Sequence, residues 1–454
     1  MGFFGLFKKQ TPKTKRVNFF ATPPSLDPSQ LERQELFRLL NNTQADAHFA
    51  PLRAQARSIA MNSPLIAGFF DTLDSEIFGD NGITLDMASP DATLNGAVEK
   101  AFLKWRGDIP FSALSFWEVE SLVLLHFKRD GEAFVYLNET PAGLSVQVID
   151  PVNVDETQDD GRLVKKGVKV DENHAPIAYF IRDQNENLQE IPADRVLHIF
   201  KRLNALQTRG VSALAPVIYP VFQKDHFKSA ELKRARLQSE ITGFLVPNET
   251  EDDLDIPGIF QDQDQEQKPQ TTIQEHAEVG KMTYIDKNIK PYFTESHNAT
   301  NIEFFIKQTD KEIAKALGIS YSTLTGDLNE VNYSSIRHGA SEQRRQFRGL
   351  QNFIIRHLHN KVFKAWLANE IKRGAFRVEL FETILNNFAF KPQGWEYIDP
   401  FKEMNANKVA LDTGQKTLSQ ILREQGREFD SHMQELKKEA KVLKNSPLKA
   451  KNGG

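Results

Sequence analysis

The stretch HIFKRLNALQTRGVSALAPVIYP, His198 to Pro220, decides the fold. A β-type run with Val196, Leu197, Ile199 and Phe200 breaks into a polar loop. That loop ends in Gln207-Thr208-Arg209-Gly210-Val211-Ser212, and helical spacing begins at once. The order is strand, short basic loop, Arg-Gly hinge, long helix. A β-rich part of the chain therefore hands over to a helical part at one defined point.

Upstream of the hinge, from Glu132 to Phe200, apolar residues recur with period two. AFVYL, LSVQVID, GVKV, IAYFIRD and RVLHIF are short strands separated by Asn, Asp, Gly and Pro. Further upstream the spacing is helical. Leu52, Ala56, Ile59 and Ala60 share a face, and Asn62-Ser63-Pro64 restarts the chain into a second helix with Ile66, Phe69, Phe70 and Leu73. Ser89-Pro90 reads as an N-cap with proline at the first helical position, ahead of Leu94, Val98, Ala101, Phe102 and Trp105. Ser115 and Glu118 form a capping-box pattern that opens another helix, broken at Asp130-Gly131. Residues 1–30 carry Lys8, Lys9, Lys13, Lys15 and Arg16 with several prolines and read as a basic arm.

Downstream of the hinge, residues 213–240 predict a helix of roughly 40 Å. Its exposed face is expected to carry Lys224, Lys228, Lys233, Arg234 and Arg236. Residues 248–270 turn acidic and Gln-rich, with Asp252, Asp253 and Asp255. KMTYID and IKPYF read as strands. Ile302, Phe305, Ile306, Ile313 and Leu317 form an apolar helical seam that Gly318 should end. The polar run ISYSTLTGDLNEVNYSS reads as a loop. A long helix follows, with Ile336, Ala340, Phe347, Leu350, Ile354, Leu358, Val362 and Ala365; Lys372 and Arg373 complement its C-terminal end and Gly374 stops it. Residues 375–440 read as mostly helical pieces with Trp395 between them, followed by a basic tail.

Composition narrows the function. The chain has 454 residues, enough for two or three cores, with 40% hydrophobic and 26% charged residues. A net charge of -4 argues against a general nucleic-acid binder, although not against a protein that DNA slides through. No cysteine is present, which removes disulfides and thiolate zinc sites. No apolar run reaches the ~18 residues of a membrane span. MGFFGLFKK is too short in its apolar part for a signal peptide, and Leu6 stands where a myristoylation signal needs Ser or Thr.

Chemistry-bearing motifs are lacking. There is no GxxxxGK[ST] loop and no HExxH. His357 and His359 lie two apart on a helix and point to different faces. Asp252, Asp253 and Asp255 could suggest a two-metal nuclease, but a solvated acidic loop explains them better. Ser334, Ser335 and His338 lack an oxyanion hole and an orienting carboxylate at a recognisable spacing, so helix-capping serines are the simpler reading. The 224–236 face could meet DNA phosphates or acidic neighbours, or be an ordinary solvated face. No catalytic, metal or cofactor site is expected.

Several segments, in order and spacing, resemble the lambda-like family of phage portal proteins. They are KRDGEAFVYL, VQVIDPVNV, GVKVDENHAPIAYFI, RVLHIF with QTRGVSALAPVI, ALGISYSTLTGDLNEVNYSSIRHGASEQRRQFR, and WEYIDPFKEMNANKVALDTGQKTLSQILREQG. The strongest likeness is in the fifth of these, where Tyr333-Ser334-Ser335-x-Arg337 opens a long helix. Leu206 departs from the family's glycine before Gln207. The resemblance implies an α+β portal-type fold: a basic arm (1–30), an α/β wing lobe (31–212), a first stem helix (213–240), a β-containing clip with an acidic insertion (241–299), a second stem helix (300–317), a tunnel loop (318–335), a long wing helix (336–374) and a C-terminal helical crown with a basic tail (375–454).

It further implies a ring of twelve subunits at one capsid vertex, through which double-stranded DNA is packaged and ejected. Terminase large subunit, head-tail adaptors, major capsid protein and scaffold are the implied partners, the virion the location, and the host cytoplasm the place of assembly. Gln207, Arg209, Gly210, Tyr333, Ser334 and Arg337 are the structural or interface candidates. Lys224, Lys228, Lys233, Arg234, Arg236, Thr323, Thr325 and Asn329 are the channel or DNA-facing candidates. Asp252, Asp253 and Asp255 are the docking candidates. A conduit needs weak contacts, because many fixed cations would trap DNA by counterion release. Alternatives are another virion structural protein, such as a minor capsid or adaptor protein, and a DNA-processing enzyme; particle mass and nuclease or ATPase assays separate them.

Overall fold

The computed structural model describes residues 49–79, 82–183, 185–240, 244–247, 289–292, 300–329, 333–392, 394–395, 399–425 and 429–444. The arm at 1–30, the acidic stretch 248–270, KMTYID and the end of the basic tail lie outside the described residues.

The chain opens with α1 (Phe49–Asn62) and α2 (Pro64–Phe78), split at Ser63 where Pro64 enters as first helical residue. β1 (Thr84–Met87) leads to α3 (Ala92–Gly107). Its cap is Asp91, whose carboxylate accepts from the Thr93 and Leu94 amides; Ser89, the expected cap, hydrogen-bonds Asn95 instead. A carboxylate two residues nearer the helix outcompetes the serine because it reaches the free amides directly and favours the positive end of the helix. α4 (Phe116–Arg129) opens on the expected capping box, with both the Ser115 and Glu118 bonds formed.

The β-rich stretch builds two antiparallel sheets. β2 (Glu132–Thr140), β3 (Gly143–Ile149) and β8 (Val196–Phe200) form one, in the order β3-β2-β8. β4 (Val164–Lys165), β5 (Val168–Val170), β6 (Pro176–Arg182) and β7 (Leu188–Pro192) form the other, in chain order. β2 is buried on both faces. Ala133, Val135 and Leu137 enter the main core, while Phe134 enters a second core with Val154, Val168, Val170, Tyr179, Ile181 and Val196. This two-sided burial is why the strand reads as a continuous apolar run.

Beyond the hinge, α5 (Ala215–Glu240) includes Pro216 and Pro220 in its first turns. β9 (Phe244–Pro247) pairs antiparallel with β10 (Ile289–Tyr292). α6 (Thr300–Leu317) then returns antiparallel to α5: Lys224 meets Asp310, and Phe227 meets Phe305 with ring centroids 4.7 Å apart. The base of this pair sits in a third cluster, where Leu214, Val217, Val221 and Ile313 pack with Ala56 and Ile66. Gly318 ends α6 at φ 78°, as expected.

The run expected to be a loop contains a short helix, α7 (Tyr321–Thr325), capped by Ser320 and stopped by Gly326. α8 (Tyr333–Ile354) continues through a π-turn (Ile355–His359) into α9 (Asn360–Lys372). The remaining elements are α10 (Phe381–Asn386), β11 (Phe388–Lys391), α11 (Pro400–Asp412), α12 (Leu418–Glu424) and α13 (Phe429–Lys444). β11 adds a strand among residues 375–440, where mostly helical pieces are expected. It pairs with β1 across some 300 positions of sequence, and Phe390 enters the main core beside Phe102 and Phe363. Among the described residues, no helix is long and apolar enough to cross a membrane.

Candidate functional site

The hinge loop lies against the turn from α4 into β2. Gly131, at φ 93°, and Gly210 meet backbone to backbone: a Cβ on Gly210 would run into the Gly131 carbonyl oxygen, and one on Gly131 into the Val211 carbonyl carbon. No side chain fits at either place. The Ser212 hydroxyl donates to the Arg129 carbonyl at 2.6 Å, and the Ala213 amide to the Lys128 carbonyl at 3.0 Å. Gln207 ties the loop to itself, accepting from the Leu203 amide and donating to the Arg209 carbonyl, both at 2.7 Å.

Arg209 is buried, and its guanidinium grips Glu132, with Nη2 to Oε1 at 2.6 Å and Nε to Oε1 at 2.9 Å; Nη1 donates to the Lys166 carbonyl at 2.7 Å. The Gly210 amide donates to the other Glu132 oxygen at 2.8 Å. Arg53 adds a contact to Glu132 at 3.1 Å and to Glu156 at 2.9 Å. His198 Nε2 lies 3.0 Å from Glu132, and its ring stacks on Phe134. Two guanidiniums face two carboxylates, so the buried cluster is neutral with His198 uncharged. Burial alone would raise the Glu132 pKa, but the Arg209 charge and the His198 hydrogen bond hold it well below the usual carboxylate range. Burial pushes His198 below its ordinary value despite Glu132.

A second cluster stands beside it. Arg57 binds Asp130 through Nε and Nη2, both at 2.8 Å, and reaches Asp150 at 2.6 Å; Arg129 and His126 also bind Asp130. Arg53 and Arg57 are four apart on α1, about 6 Å along its axis, and Asp130 and Glu132 flank Gly131 at the turn from α4 into β2. One face of α1 thereby binds both acids. Burial opposes ionisation of Asp130, but hydrogen bonds from His126, Arg57 and Arg129 outweigh it and lower its pKa.

The basic candidates on α5 divide. Lys224 is not on the exposed face: it is buried, with Nζ 2.5 Å from Asp310 on α6. A buried ammonium needs a counter-charge, and Asp310 supplies it across the helix pair. Lys228, Lys233, Arg234 and Arg236 are exposed, and Arg234 pairs with Glu231 at 2.7 Å. Thr323 and Thr325 are half-buried with hydroxyls engaged inside their own turn: Thr323 Oγ1 lies 2.7 Å from Ser320 Oγ, and Thr325 Oγ1 donates to the Tyr321 carbonyl at 2.8 Å. Asn329 is exposed. Tyr333 and Ser334 form the first turn of α8, and Arg337 is exposed one turn later. Asp252, Asp253 and Asp255 lie outside the described residues. Among the described residues, no group of three His, Asp or Glu side chains could hold a metal ion.

The model of the phage portal protein, lambda family, matches residues 39–351. This chain belongs to that family. A probable portal protein of Halomonas phage phiHAP-1 is 28% identical over 423 residues, covering 87% of this chain and 80% of the relative. The portal protein of Escherichia phage N15 is 22% identical over 320 residues, 62% of this chain and 59% of its own length. Among solved structures, the neck of an empty gene transfer agent particle aligns with a TM-score of 0.45 at 12% identity, over 82% of this chain and 93% of that one. As a lambda-family portal protein, the chain is a structural component of the phage particle and a subunit of an oligomeric ring used in DNA packaging.

In this portal subunit, the clusters around Glu132 and Asp130 both escaped sequence reasoning. Glu132 is the acceptor around which the hinge closes, and its signal was present: one acid between Gly131 and the apolar run Ala133 to Leu137. The buried set Arg106, Glu120 and His359 was also missed; Arg106 binds Glu120 at 2.9 Å, and His359 hydrogen-bonds the same carboxylate. These residues come from α3, α4 and the π-turn, so no local pattern links them.

Proposed function

We propose that this portal subunit is one of twelve in a ring at a single capsid vertex, the conduit for packaging and ejecting double-stranded DNA. The lobe up to Ser212 is the wing, α5 and α6 are the stem, and the segment between them, with β9 and β10, is the clip. Residues 318–335 are the tunnel loop, α8 and α9 the long wing helix, and the later helices the crown. The clip docks the terminase large subunit and later the head-tail adaptors, and the wing meets major capsid protein and scaffold. The ring is assembled in the host cytoplasm and has no enzymatic activity of its own.

One observation carries this reading. A lobe with its own cores sends out an antiparallel helix pair, braced at its base by Lys224 and Asp310 and at its far end by a two-stranded pairing. The hinge cluster makes that exit rigid, since Gly131 and Gly210 leave no room for slippage. The exposed cations on α5 and the polar turn at α7 suit weak contacts with neighbours or moving DNA.

Mass measurement and negative-stain imaging of purified full-length protein test the reading. The expected result is a closed ring with a central hole; a stable monomer would overturn it. The clip assignment has its own test. Reversing Asp252, Asp253 and Asp255 to Lys should weaken binding of the packaging motor, because an acidic face steers a basic partner. Unchanged binding would defeat that assignment.

A further inference from the structure

The exposed face of α8 and of the π-turn that continues it carries charge of nearly one sign. Residues 333–364 hold five arginines and two lysines against one glutamate, in a chain whose net charge is -4. Arg337, Arg345, Arg348 and Arg356 are exposed. At 3.6 residues per turn they fall with Ser341 and Asn352 inside an arc of roughly 100°, and they span about 28 Å of axis. The buried face, with Gln343, Phe347, Gln351 and Ile354, points away from that arc. The single acid, Glu342, lies off it and pairs with Lys315 at 3.2 Å.

Two details separate this face from an ordinary solvated one. Arg53, Arg57, Arg106 and Arg209 each close on a carboxylate within the chain. Within the described residues the four stripe arginines have no carboxylate partner. Arg348 instead lies over the Trp395 ring at 5.6 Å, and Trp395 is fixed by Glu76 at 2.6 Å. A stacked guanidinium keeps its edge donors for another ligand. The second detail is Gly349, at the edge of the arc between Arg345 and Asn352. It is exposed within a helix, and a Cβ there would meet nothing within 4 Å. Among the described residues nothing requires a glycine where alanine would strengthen the helix. A surface that approaches the α8 backbone closely would.

We propose that the face carrying Arg337, Arg345, Arg348 and Arg356, with Gly349 as the point of close approach, is a phosphate-binding track for duplex DNA. The proposal rests on the portal reading above. Duplex DNA presents one charge per about 1.7 Å of axis, so every arginine on a line of about 28 Å finds phosphates in reach. Arginine forks and the interleaved Ser341 and Asn352 suit phosphate oxygens. Such a track would brake moving DNA, so it fits duplex that the ring holds, not duplex passing through its channel.

Fluorescence anisotropy of full-length protein with a labelled duplex of about 30 base pairs, between about 50 and 200 mM salt, tests this. The triple variant Arg345→Gln/Arg348→Gln/Arg356→Gln should bind at least about tenfold more weakly at low salt, with the salt slope flattened by ~0.9 for each phosphate no longer neutralised. Arg→Lys at the same positions should keep most of the slope. Gly349→Leu, which changes no charge, should weaken binding by obstructing approach. Equal affinity and slope in wild type and triple-Gln variant would overturn the proposal. So would a triple variant that binds duplex normally but no longer forms rings, which would make the face an interface with an acidic neighbouring subunit. Ring mass, measured in parallel on wild type, reports on the portal reading separately.

Discussion

Glu132 is the residue on which the hinge depends. Its carboxylate is fully buried and takes hydrogen bonds from Arg209, Arg53, His198 and the Gly210 amide. Glu132→Gln keeps the shape but leaves Arg53 and Arg209 with only Glu156 as counter-charge. The expected loss is about 3–5 kcal/mol, the usual cost of stranding a buried charge, measured by urea unfolding. Arg209→Ala should cost a similar amount and impair ring assembly through the same collapse. The cluster also fixes a pH dependence. Glu132 and Asp130 have folded pKa values below their ordinary 4.5 and 3.8, so their stabilisation is present above those values and is lost as pH falls through and beneath them. His198 is depressed below 6.5, so the unfolded chain takes up its proton first and stability already begins to fall below that pH. The urea midpoint should therefore decline gently from about pH 7 to about 5 and drop steeply below. A midpoint that rises on acidification would contradict the assignment.

At the scale of elements, the α5–α6 pair shows how a charge can hold helices in register. Lys224 and Asp310 are nearly buried, so removing one partner strands the other. Lys224→Met should cost about 3 kcal/mol, while Lys224→Met/Asp310→Leu should return to within about 1 kcal/mol of wild type, because a well-packed apolar pair replaces a buried ion pair at little cost. Thermal melts of the single and double variants check this, and a double variant as weak as the single would refute it. Sequence reading placed these helices to within a few residues. It put Lys224 outside because helical spacing alone groups it with Lys228. What moved it inside was α6, which presents Asp310 at that level and is separated from it by 86 positions.

Across the whole molecule, the main core is closed by its latest strand. Phe390 on β11 packs on Phe102, Phe363 and His359, joining α3, α9 and the π-turn into one aromatic cluster. Phe390→Ala should cost about 3–5 kcal/mol, within the range for emptying a buried aromatic site. The loss should appear in a single unfolding transition, because β1 and β11 belong to the same core. An early separate transition confined to the C-terminal residues would show that β11 is only peripheral. This long closure also bears on the ring: the residues after 391 can be altered independently of the lobe only where they leave that core.

The sequence by itself determined the order of elements, the strand-to-helix handover at Arg209-Gly210, the capping box at Ser115, the glycine stops, and the family. All of these are local or ordered along the chain, so periodicity and spacing carry them. Only the tertiary structure decided which polar groups meet. Glu132 with Arg209 and Arg53, Lys224 with Asp310, and Glu120 with Arg106 and His359 are pairs set by packing, most of them across tens to hundreds of positions. The same holds for β1 with β11. A buried charge chooses whichever partner the fold brings within about 3 Å, and that distance is a property of three dimensions, absent from the order of residues.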